Sequence, residues 1–132
     1  MIPTGWTSVH RADGEHVGYL ASDGVPGMVF PVTLVGAAMG PSLDPAAATA
    51  LLRAGGLPAL DRRWWCRLPD PLPRGVLPAG DPLPEWNWRP VVLVEVSQAG
   101  CRVRPEMAAP EERTAQAALP VPVGDLLRAE PP

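Results

Sequence analysis

Lysine is absent from this 132-residue chain, and all eleven of its Lys/Arg cations are arginine. That bias reads as codon usage in a G+C-rich bacterial genome before it reads as a choice of guanidinium geometry. Ile2 and Asn87 are each alone of their kind, and one Tyr and one Phe stand against five Trp. No block of like charge occurs and the net charge is −3, which disfavours nucleic acid or an acidic membrane as a general partner. No apolar run approaches the roughly 18 residues a membrane helix needs, and no basic-then-apolar leader is seen. The expectation is a cytoplasmic protein without a membrane partner, whose two cysteines stay reduced. Cys66 and Cys101 lack metal-ligand spacing and would pair only on neighbouring strands. Phosphate loops, a nucleophile elbow and paired catalytic carboxylates are also missing, so neither a cofactor nor a catalytic residue is assigned.

What the chain has in excess is proline, 19 of them, six within residues 69–84. That stretch is expected to be an extended, polyproline-like surface loop with no ladder bonds. At this length one domain, residues 1–132, is expected, with residues 106–132 as a C-terminal covering segment.

Residues 91–105 hold the longest β-branched run and a turn signal, so they read as an antiparallel hairpin at the sheet centre. The expected register sets Ser97 against Arg102, Val96 against Val103 and Glu95 against Arg104. It turns Val92, Val94, Val96, Cys101 and Val103 to the core. Residues 6–21 read as another hairpin, with a three-residue Ala12-Asp13-Gly14 loop and Gly14 left-handed. There His10 faces His16, Arg11 faces Glu15 and Val9 faces Val17. Residues 28–35 form a strand that Pro31 either confines to an edge or splits.

One helix is clearly bounded. Asp44 is its N-cap, Pro45 takes the first helical position, residues 46–54 form the body, and Gly55 follows it as the C′ residue. Ala48, Leu51 and Leu52 are its expected packing face. Residues 61–68 alternate as a strand, with Trp64, Cys66 and Leu68 inward and Arg63, Trp65 and Arg67 outward. Residues 110–118 suit a short helix. The expected fold class is therefore α+β: a small antiparallel sheet of five or six strands, one packed helix and a long proline-rich loop. A strongly bent or barrel-like sheet is the variant.

Two groups of residues carry the functional expectation. Arg63, Trp65 and Arg67, joined by Trp86 and Trp88, offer guanidiniums beside indoles, the residue types most enriched at interface hot spots. They suggest a non-enzymatic binding or accessory protein that docks a protein partner or a second copy of itself. The alternative is a metal-dependent protein or enzyme centred on the facing His10 and His16, which would need at least a third ligand from elsewhere.

Overall fold

The structure is a computed structural model and describes residues 2–132. Among these residues it is α+β, with one α-helix and nine strands in two sheets, of three and six strands. Among the described residues no helix is long and apolar enough to cross a membrane.

The smaller sheet contains β1 (Thr7–His10), β2 (His16–Ser22) and β3 (Val29–Val32), antiparallel in that order. The first turn forms as its chemistry dictates. Gly14 sits at φ 88°, Arg11 N–H donates to the Glu15 carbonyl at 2.8 Å, and His10 pairs with His16. One pairing differs from expectation: Val9 lies opposite Gly18, and Val17 is the extra residue of a bulge. Both valines thereby reach the same apolar cluster with Leu52, at 5% and 1% exposure. Pro31 lies on β3, an edge strand, where its missing N–H costs no ladder bond.

Helix α1 (Pro45–Gly55) begins where Asp44 accepts from Ala47 N–H at 3.0 Å, and it runs through Gly55, so Gly56 and not Gly55 caps it, donating to the Leu52 carbonyl at 2.8 Å. It packs on the smaller sheet, through β1, β2 and β3. Ala48 and Leu52 are fully buried there, whereas Leu51, expected inward, is 38% exposed. Residues four apart lie above one another on a helix, and Leu51 stands off that line.

The larger sheet contains β4 (Trp64–Leu68), β5 (Gly75–Pro78), β6 (Asn87–Val96), β7 (Cys101–Pro105), β8 (Ala115–Leu119) and β9 (Leu127–Arg128). Its order is β5-β8-β7-β6-β4-β9, antiparallel except for the parallel β5–β8 pair. The sheet is open, with β5 and β9 at its edges, so the barrel variant is not realised.

The β6–β7 hairpin is central, but its register is corrected. Val96 pairs with Cys101 and Glu95 with Arg102, and after a bulge at Val94 the pairs become Leu93–Val103, Val92–Arg104 and Val91–Pro105. Val91 and Leu93 turn to the core in place of Val92 and Val94, and Val94 is 46% exposed. The bulge switches the alternation, so Val96 still joins the core beyond it.

Two other expectations fail. The proline-rich stretch contributes β5, which pairs with β8 from Gly75–Ala115 to Pro78–Ala118. The expected helix over 110–118 is a 3-10 turn at Pro110–Glu112 followed by strand β8. Ala115, Ala117 and Leu119 are buried while Gln116 and Ala118 are half-buried, a period of two that the alanine-rich composition hid. Cys66 and Cys101 are unpaired and buried, on strands separated by β6. Burial pushes their thiols up to about 12 and about 11.

Candidate functional site

Alternation along β4 turns Trp64, Cys66 and Leu68 into the main core at 3%, 1% and 0% exposure. The opposite, outer face therefore carries Trp65 and Arg67, both half-buried. Pairing fixes what stands beside them. Trp65 lies opposite Pro90 on β6 and Arg128 on β9, and Arg67 lies opposite Trp88. The next outward residue of β6, Val92, pairs with Arg104 of β7. Trp65, Trp88, Pro90 and Val92 thus form a half-buried apolar strip, with Arg67, Arg104 and Arg128 around it.

The arginines are held differently. Arg63 makes a fork with Glu106, Nε to Oε2 at 2.8 Å and Nη2 to Oε1 at 2.6 Å. That contact holds the Glu106 carboxyl below its usual range, and the Arg63 charge is already answered. Arg67 donates through Nη2 to the carbonyls of Leu83 and Pro84, at 3.1 and 3.3 Å, which leaves its other N–H donors unused among the described residues. Arg128 lies over the Trp88 ring, 4.6 Å from its centroid. Among the described residues Arg67, Arg104 and Arg128 have no carboxylate partner.

Trp86 stands apart from the other expected site residues. It lies in the turn before β6, where its N–H donates to the Leu83 carbonyl, and it packs against the main core. Sequence reasoning passed over Arg104 and Arg128. The R-V-R alternation of residues 102–104 shows that Arg104 leaves the core face, but β9 is too short to read from its own residues.

Residues just past the far edge strand β5, among them the core residue Ala79, come close to Trp88 and Arg67. Ala79 and Pro82, which follow β5, line a cavity of about 220 Å³ together with Arg67, Trp88, Asp125, Leu126 and Arg128. A wider depression of about 610 Å³ lies beside the β6–β7 turn, but its arginine, Arg102, already faces Glu95 at 3.7 Å.

What anchors the start of β6 is an ion pair that sequence spacing did not reveal. Arg89, next to Trp88 but turned inward opposite Cys66, forms a two-pronged contact with Glu112 at 2.6 and 2.9 Å. Glu112 also accepts from Leu72 N–H at 2.6 Å and Ala109 N–H at 3.0 Å, and Arg89 donates to the Pro69 carbonyl at 3.0 Å. The Glu112 side chain has no exposed surface. The Arg89 guanidinium holds its carboxyl down at about 2, and the two backbone donors add to that effect against the opposing cost of burial. One carboxylate thus ties the proline-rich segment to β6, immediately behind Trp88.

The two histidines also meet. Their rings stack with centroids 4.8 Å apart, and Tyr19 stands edge-on to His16 at 4.7 Å. His16 Nε2 lies 2.9 Å from the Gly18 carbonyl, and burial lowers its pKa. Among the described residues no group of three or more His, Cys, Asp or Glu side chains converges in a way that could hold a metal ion. The pair offers two imidazoles, one of them already engaged.

Compared with protein families, with curated proteins and with solved structures, the chain matches none.

Proposed function

We propose that this chain is a non-enzymatic binding or accessory protein that docks an acidic segment of a protein partner on the outer face of its larger sheet. One observation carries the reading. On a chain of net charge −3, three guanidiniums without carboxylate partners among the described residues surround two half-buried indoles on one side of one sheet. A guanidinium beside an aromatic surface offers a carboxylate charge-assisted hydrogen bonds and offers the adjoining side chains apolar contact. Single-stranded nucleic acid uses the same residue types, but it needs a basic groove along its backbone, which the acidic balance argues against. Self-association through this face would require the arginines to find carboxylates on a second copy. The two buried, unpaired thiols suit the reducing cytoplasm in which we place the protein.

The histidine alternative draws on the stacked pair alone. Among the described residues no third ligand of the kind a useful zinc site needs joins it.

Trp65→Ala is the direct test. Isothermal titration with an acetylated, amidated decapeptide rich in Glu and Leu is expected to show affinity about tenfold lower for the variant, a loss of about 1.4 kcal/mol. Urea unfolding of the same variant should show a smaller loss than the roughly 3–5 kcal/mol of an aromatic core truncation. A core-sized loss with unchanged peptide affinity would make Trp65 a packing residue and remove the reading.

A further inference from the structure

The cavity between the end of β5 and the outer face differs from the rest of that face in being walled. At about 220 Å³ it is smaller than the roughly 300–1,000 Å³ of typical small-molecule sites, so it suits one residue of a larger partner. Trp88, Ala79, Pro82 and Leu126 give it apolar walls. Arg67 and Arg128 bring guanidiniums with unused N–H donors, and Arg128 is exposed, which puts it towards the mouth. Asp125 is the third charged residue of the lining and lies beyond ion-pair distance of both arginines.

The charges select among anions. Two guanidiniums and one carboxylate leave a local charge of +1, which a single carboxylate neutralises and a phosphate dianion overshoots. The walls then select among carboxylates. An internal Asp or Glu brings only one or two methylenes to fill an apolar cavity. A chain-terminal residue brings a whole apolar side chain and a carboxylate from the same Cα.

Resting on the reading of this face as a docking surface, we infer that the Arg67–Trp88–Arg128 pocket receives the C-terminal residue of a partner chain. Its apolar side chain packs against Trp88 and its α-carboxylate meets the two guanidiniums. Arg67 Nη2 is already engaged by the Leu83 and Pro84 carbonyls, so the guanidinium is oriented before the ligand arrives and offers its Nε and Nη1 donors. Glu112 and Arg89 fix the strand that carries Trp88. The pocket therefore reads the end of a chain, and the strip along Trp65 and Val92 reads the residues before it.

The test is an NMR titration of the intact protein, following the Trp88 indole N–H, assigned by its loss in Trp88→Phe. N-acetyl-leucine should shift this signal saturably, and N-acetyl-leucinamide should bind roughly tenfold or more weakly, as loss of charge-assisted hydrogen bonds implies. Arg128→Gln should remove that preference. No saturable shift, or equal binding of the amide, overturns the inference, and so does equally tight binding of 4-methylpentanoate, which would make this a small-acid site. The amidated acidic decapeptide separates the two levels. If it binds while N-acetyl-leucine does not, the docking face stands and chain-end capture falls; if neither binds, both fall.

Discussion

Arg89→Ala is expected to cost about 3–5 kcal/mol of stability, because it strands a buried carboxylate. Glu112 has no exposed side-chain surface, and without Arg89 its remaining partners are the N–H groups of Leu72 and Ala109. The pH dependence should reveal the same group. The carboxyl has an ordinary value of 4.5 and is held at about 2 in the folded chain, a difference worth about 3 kcal/mol. Because the folded value is the lower one, the contribution is complete above pH 4.5 and is lost as pH falls from there towards about 2. Urea midpoints for the native chain should therefore drop across this window. In Arg89→Ala the drop should shrink, since protonation now relieves the stranded charge. Replacing both partners, Arg89→Met with Glu112→Leu, should recover only part of the loss. Two backbone N–H groups would then lack their acceptor, at about 1–3 kcal/mol each. An Arg89→Ala variant as stable as the native chain, with an unchanged acid profile, would show that the pair contributes nothing.

Gly36→Ala is expected to cost about 2–5 kcal/mol, from two sources that a second variant separates. Gly36 adopts φ 88°, where an L-residue costs about 1–2 kcal/mol. A Cβ there would also run into Pro122 Cβ and lie 2.6 Å from Pro122 Cα. Neither atom is the free end of a flexible chain, so the backbone must move, and overpacking of this kind costs about 1–3 kcal/mol. The contact matters because Val123 N–H donates to the Val35 carbonyl at 2.9 Å just beside it, joining the C-terminal segment to the turn after β3. Gly14 has the same φ of 88°, but a Cβ there meets nothing within 4 Å. Gly14→Ala should therefore show the conformational cost alone. Equal losses for the two variants would mean that the close approach of Pro122 carries no weight.

The features legible in the sequence are those decided by neighbours in the chain. Asp44 and Pro45 start α1 because a cap and a preset φ act within one turn. Gly14 and the His10–His16 pairing follow from a three-residue loop, and Trp64, Cys66 and Leu68 follow from the period of a strand. Features decided by distant partners were not legible. The bulge at Val94 depends on which valines β7 and the core demand, and the β-branched run 91–96 fits either face. Ala115–Leu119 has helical composition, yet it lies between β5 and β7, where the sheet's unpaired groups outweigh a propensity of a few tenths of a kcal/mol per residue. The parallel pairing of β5 joins segments about forty residues apart, and prolines mask it. At the candidate site, the outward setting of Trp65 and Arg67 followed from alternation alone. Arg128 and the pocket wall of Ala79 and Pro82 came from the approach of β9 and of the residues after β5, which no local pattern announces.

An acidic partner docked as proposed on the outer face of the larger sheet would be seen by the tryptophans of that face. The most direct test follows all the tryptophan indole N–H signals by NMR while the amidated acidic decapeptide is added. The Trp65 and Trp88 signals should move together and saturate, and added salt should weaken the effect. The Trp64 signal should stay in place, since that indole donates inward to the Leu60 carbonyl at 3.2 Å. Stationary Trp65 and Trp88 signals, or movement confined to Trp6 beside Tyr19 on the smaller sheet, would contradict the account.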